Sequence, residues 1–237
     1  MRFECASRTH VGLKRKINED SLFVDSERGL WAVADGMGGH DAGEVASATV
    51  VEALRNLPPV GNLDELANAA KDALAGANRQ LIDLARSSGT QQSIGTTVVG
   101  VAIAEGEFRC FWMGDSRAYR FRDGYLSRVS RDHSLVQKLI DAGMLRPEEA
   151  ESHENANVVT RAVGVAEVAE VDIVSGDVAV GDQFLLASDG LTRVVPDDEI
   201  AAELQRASPE EAADNLIQMV LARGAPDNVS IVIVKLV

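Results

Sequence analysis

"TVVGVAIAEGEFRCFWMGDSRAYRFRDGYLSRVS", residues 97–130, decides the fold class. The runs TVVGVAIAE and EFRCFWMGD are short, apolar and rich in residues that suit a pleated, buried surface, so they read as strands. The third run, RAYRFRDGYLSRVS, alternates apolar and polar positions and carries Asp123-Gly124 at its centre. Asp-Gly accepts the positive φ that a two-residue hairpin demands, so the two halves pair antiparallel. No helical period separates these runs, as it would in a doubly wound parallel sheet.

Outward from this stretch the period changes. Before it, Ala46, Val50, Ala53 and Leu57 recur at helical spacing, and Leu66, Ala70, Ala73, Ala77, Leu81 and Leu84 do so again. The Pro/Gly stretch LPPVGN (57–62) connects the two helices, and Asn62 with Glu65 resembles a capping box. After it, residues 134–165 turn helical and polar, DQFLLASDG reads as a buried strand, and Ser208-Pro209 with Glu211 opens a helix. NVSIVIVKLV closes the chain as a strand. Long helices beside antiparallel hairpins indicate an α+β layered domain over residues 1–237; the number of sheets does not follow from this pattern.

Composition narrows the function. The net charge is −14 and the longest basic run is KRK at 14–16, which argues against a nucleic-acid partner. No apolar stretch approaches the ~20 residues of a membrane span. The start MRFECASRTH lacks the apolar core of a secretory signal, so a cytoplasmic location is expected. Cys5 and Cys110 could form a disulfide or bind metal, but buried reduced thiols fit that compartment better.

The aspartates share one kind of address. Asp35 follows LWAVA, Asp115 follows CFWMG and Asp189 follows FLLAS, while Asp227 and Asp20 each stand just ahead of an apolar run. If those strand ends converge, several like charges share a small volume and must bind protons or cations. Oxygen ligands without His or Cys select hard ions, Mg²⁺ or Mn²⁺. Gly36, lacking a side chain, could let its carbonyl approach an ion. Asp-Gly after a strand is equally ordinary turn chemistry, so residue types alone leave both readings open.

RKINED, VADGMGGH, SIGTT, WMGDSRAYR, ASDGL and APDNVS, in this order, resemble the bacterial metal-dependent serine/threonine phosphatases of the protein phosphatase 2C type. The resemblance runs from about Cys5 to Val237. It implies a four-layer αββα sandwich, two antiparallel sheets packed face to face and flanked by helices. It implies phosphoserine and phosphothreonine on proteins as substrates, hydrolysed by in-line attack of a hydroxide bridging two metals ~3.5–4 Å apart. Asp35 resembles the bridging carboxylate, Gly36 the carbonyl donor to the second metal, and Asp189 and Asp227 the other ligands of the first. Asp115 with Asp189 matches a third-metal site. Asp20, supported by Glu19, resembles the acid that holds metal-bound waters. Arg15, five residues before Asp20, matches the phosphate-binding Arg, whose fork can grip two oxygens.

One departure concerns proton donation. Some branches carry His directly after the Asp-Gly; here that position is Met37, and His40 is a candidate replacement, with a metal-bound water as its rival. His133 and His153 are weaker candidates. Residues 134–165 resemble a flap beside the active site and, with Gly143 and a helix start at Pro147-Glu148-Glu149, are expected to act as a lid where substrate choice is expressed. Thr96, Thr97, Trp31 and Trp112 are read as core. The expected partners are phosphoprotein substrates and an opposing Ser/Thr kinase, with no membrane and a monomeric state. The main alternative is a catalytically weak relative that binds phosphoproteins as a regulator, and a further one is a hydrolase of small phosphate esters.

Overall fold

Strands buried on both faces explain why the central apolar runs hide their alternation. The computed structural model describes residues 1–38, 42–88, 94–150 and 152–237. One sheet contains β1 (Phe3–His10), β7 (Arg117–Arg122), β8 (Tyr125–Arg128), β10 (Gln183–Ala187) and β11 (Val229–Leu236), in the spatial order β1-β11-β10-β7-β8. The other contains β2 (Asp20–Asp25), β3 (Leu30–Met37), β5 (Val98–Ala104), β6 (Glu107–Met113) and β9 (Asp172–Asp177), in the order β2-β3-β5-β6-β9, with the two-residue β4 (Gly95–Thr96) beside β3. Every pairing is antiparallel.

Three apolar layers separate four layers of backbone. Between the sheets, Trp31, Val33, Val99, Val101, Phe108, Cys110, Phe184, Leu186, Val232 and Val234 interdigitate. Their neighbours along the same strands point outward. Leu30, Ala32, Ala34, Val98 and Phe111 meet helices α1 (Ala42–Arg55) and α2 (Leu63–Ser87). Leu185, Ala187, Ile231 and Ile233 meet α4 (Asp189–Thr192), α5 (Asp197–Arg206) and α6 (Pro209–Ala222). The period of two thus survives as a choice between two apolar partners. This is the αββα sandwich that the resemblance implies.

Local signals behave as the sequence predicts. Asn62 caps α2 by accepting from Glu65 N–H, although Glu65 completes no box because its carboxylate accepts the Gly61 N–H instead; Ser208 with Glu211 forms a reciprocal capping box at α6. Asp123 and Gly124 turn the β7–β8 hairpin at φ of 52° and 84°. Cys110 is buried and Cys5 half-buried, and both are free thiols; Cys5 is less enclosed than expected because β1 is an edge strand. The 134–165 segment is also less regular than its composition implies. Its described residues hold one short helix, α3 (Leu135–Asp141), and the helix start expected at Pro147 is a single 3₁₀ turn, Pro147–Glu149. Backbone bridges Ser134↔Val159 and Thr96↔Val163 tie the segment down. Among the described residues no helix is long and apolar enough to cross a membrane.

Candidate functional site

The antiparallel register brings five aspartates to one rim of the sandwich. Asp20 opens β2 and lies directly opposite Asp35, near the end of β3. Asp115 follows β6, Asp189 opens α4 just after β10, and Asp227 stands two residues before β11. Asp35, Gly36, Asp115, Asp189 and Asp227 line one cavity of about 280 Å³, together with Arg15, Glu19, Thr97, Asn157, Val159 and Arg193. Asp20 sits behind it: its Oδ2 accepts from Ser188 Oγ at 2.9 Å, while its Oδ1 is buried without a hydrogen-bond partner. Like charges directly opposite on neighbouring strands repel, so a fold that keeps Asp20 against Asp35 needs something to offset them.

Several residues that build this rim escaped the sequence reading. Thr97 and Thr96 are buried, as expected of core residues, but their hydroxyls also fix the Asp35 backbone. Thr97 Oγ1 accepts the Asp35 N–H at 3.2 Å, and Thr96 Oγ1 donates to the Asp35 carbonyl at 2.9 Å. Asn228 is the rivet between the N-terminal loop and β11. Its side-chain amide donates to the carbonyls of Val11 and Ile17, and its oxygen accepts the Glu19 N–H. The Glu19 carbonyl in turn accepts the Gly36 N–H at 3.1 Å. A Cβ on Gly36 would stand 2.1 Å from the Gly43 carbonyl oxygen and 2.6 Å from that of Glu19, so only glycine fits. Arg193 was missed because an Arg four residues after Asp189 looks like a surface helix pair.

The electrostatics are those of a crowded carboxylate site. Burial pushes the Asp20 carboxyl up to about 7 and Asp115 up to about 6, with Asp189 adding to both. Asp35 is raised well above the usual range, by burial first and then by Asp20, Asp189, Asp115 and Asp227. Asp189 is raised by burial, against the opposing charge of Arg193. Three carboxylates are turned to cations of the chain itself: Asp227 Oδ2 to Arg15 Nη2 at 2.7 Å, and Asp115 and Asp189 to Arg193 at 2.9 and 3.1 Å. Among the described residues, no three His, Cys, Asp or Glu side chains are gathered closely enough to hold an ion without adjustment.

The donor set nonetheless suits a hard divalent cation. It is all oxygen, one buried oxygen lacks a partner, and Asp20, Asp35, Asp115 and Asp189 hold protons more tightly than solvated carboxylates do. Neither His133 nor His153 joins it. His133 is held by Gly114 N–H on Nδ1 and by Asp172 at Nε2, and its ring stacks on Trp112. His153 is engaged locally, its Nδ1 accepting the Asn155 N–H, and does not line the cavity. His40 lies outside the described residues.

A family model for protein phosphatase 2C matches residues 9–228. The chain belongs to the protein phosphatase 2C family. Among curated members, it is 38% identical over 98% of its length to the serine/threonine protein phosphatase PstP of Mycobacterium tuberculosis, and it spans 45% of that relative. Two solved structures superpose closely. PppA, a key regulatory component of T6SS in Pseudomonas aeruginosa, is 40% identical with a TM-score of 0.91, covering 99% of this chain and 98% of PppA. The catalytic domain of PstP in complex with two manganese ions is 36% identical with a TM-score of 0.87, covering 98% of this chain and 97% of that one. The four-layer sandwich is therefore the family's fold in this chain.

Proposed function

We propose that this chain is a metal-dependent phosphatase that hydrolyses phosphoserine and phosphothreonine on proteins. The observation that carries the reading is the convergence of Asp35, Asp115, Asp189 and Asp227 on one cavity, backed by Asp20 with its unpartnered oxygen. Asp35, Asp189, Asp227 and the Gly36 carbonyl would hold a core pair of Mn²⁺ or Mg²⁺ ions, with Asp20 behind them. Asp115 and Asp189 would hold a third. When bound, such ions supply an activated water at neutral pH and offset charge on the phosphoryl oxygens.

The chain's own residues then bind and orient. Arg15 reaches the cavity with one Nη2–H on Asp227, and its planar fork carries further donors for phosphoryl oxygens. Thr96 and Thr97 hold the Asp35 backbone, so its carboxylate is fixed from a rigid strand rather than a loop. Asn157 and Val159 bring residues 134–165 to the cavity wall, where a flap in a single catalytic domain would choose among substrates. His40 is the candidate proton donor to the leaving oxygen. Proteins phosphorylated by a Ser/Thr kinase are the expected partners.

The test is phosphate release from a phosphothreonine peptide with Mn²⁺, Mg²⁺, Zn²⁺ or chelator. Turnover with Mn²⁺ or Mg²⁺ that stops with chelator is the expected result. Folded protein that is inactive with every ion would instead favour a phosphoprotein-binding regulator. A higher kcat/KM on a free phosphomonoester than on the peptide would redirect the reading to small esters.

A further inference from the structure

Arg193 has an unusual position for an ordinary surface cation. It follows α4, and its backbone N–H donates to the Asp189 carbonyl at 3.0 Å, which turns the side chain back over that residue. Its Nε then meets Asp189 Oδ2 at 3.1 Å and its Nη2 meets Asp115 Oδ2 at 2.9 Å. One guanidinium thus bridges two carboxylates that come from different sheets' strand ends. The same Nη2 also reaches the Ala156 carbonyl at 3.4 Å, inside the 134–165 segment.

A carboxylate oxygen turned to a guanidinium presents the same lone pairs that a divalent ion would take. Two cations at one oxygen also repel, so guanidinium and ion compete for the Oδ2 atoms of Asp115 and Asp189. Arg193 also has somewhere to go. It lines the carboxylate cavity and an adjoining one, of about 260 Å³, which Asp115 and Asp189 also line and which extends to Arg117, Asp132, Ser134 and Thr192. Asp132, on that far side, is already paired with Arg117 and Arg128, so it does not hold Arg193 there.

We propose that Arg193 stands in for a cation between Asp115 and Asp189, so that a third ion enters this chain only by displacing the guanidinium. The inference rests on reading those two aspartates as metal ligands. Its consequence is that the core pair of ions uses the Asp189 oxygen other than the Oδ2 held by Arg193, while the third costs both of the Arg193 ion pairs and the contact with Ala156. Metal availability would then report directly on the 134–165 segment.

The experiment counts bound Mn²⁺ from the electron paramagnetic resonance of the free ion, titrated into wild type, Arg193→Ala and Arg193→Gln. Circular dichroism establishes that each is folded, and the Gln variant serves if Ala is not. Wild type should take two ions tightly and a third weakly. Either variant should bind the third at least about tenfold tighter, a factor that corresponds to about 1.4 kcal/mol. Adding Asp115→Asn to the Arg193→Ala protein should remove that third ion. Two tight ions with an unchanged third in both variants would overturn the role of Arg193 alone. No tight ion in any protein would overturn the metal reading and this inference with it.

Discussion

Replacing Asp20 with Asn should stabilise the metal-stripped protein while removing a group on which the metal site depends. Asp20 is 8% exposed, faces Asp35 across the β2–β3 pair and leaves one oxygen without a partner. Its carboxyl is pushed from an ordinary 3.8 to about 7, mainly by burial. A carboxyl raised in this way keeps its proton in the folded protein after the unfolded chain has lost it. The stability it contributes is therefore full below pH 4 and is lost as the pH rises through about 7, a loss on the order of 4 kcal/mol. Asn keeps the shape and an acceptor for Ser188 without the charge, but it buries amide hydrogens that find no partner, costing about 1–2 kcal/mol. The net gain is about 2 kcal/mol at pH 7.5, or roughly 4–8 °C in Tm for a chain of this length. At pH 5 the wild-type carboxyl is itself protonated, and the gain should disappear. Scanning calorimetry in EDTA at both pH values measures the difference. A Tm at pH 7.5 equal to or below that of wild type, or an equal gain at both pH values, would refute the reasoning.

Three other substitutions probe the rim. Gly36→Ala places a methyl against the Gly43 and Glu19 carbonyls and should cost about 1–3 kcal/mol, seen as a lower denaturation midpoint in urea. Asn228→Ala leaves the Val11 and Ile17 carbonyls and the Glu19 N–H without their partner; a loss of about 3 kcal/mol is expected, with faster amide exchange near residues 11–19. Arg15→Ala should raise KM for a phosphopeptide by about tenfold with a smaller change in kcat, and an unchanged KM would remove Arg15 from phosphate binding.

Local chemistry made much of this legible in advance. The Asp123-Gly124 hairpin and the caps at Asn62 and Ser208 depend on residues a few positions apart, and their backbone preferences act wherever they occur. The aspartates were visible because each one ends or precedes an apolar run, an address that the antiparallel register turns into a shared rim. The two-sheet stacking was invisible to periodicity because strands such as β3 and β11 are apolar on both faces. Only the family resemblance supplied it. Asn228 and Arg193 were silent for another reason. Each acts on groups far away in sequence, Asn228 on backbone more than 200 residues earlier and Arg193 on Asp115, so neither has a local pattern to betray it.

The central claim is that the converging carboxylates hold divalent ions. Anomalous diffraction from crystals grown with Mn²⁺ tests it most directly. The account predicts two strong peaks in the cavity lined by Asp35, Gly36, Asp189 and Asp227. Well-ordered crystals with these side chains resolved and no manganese among them would contradict it.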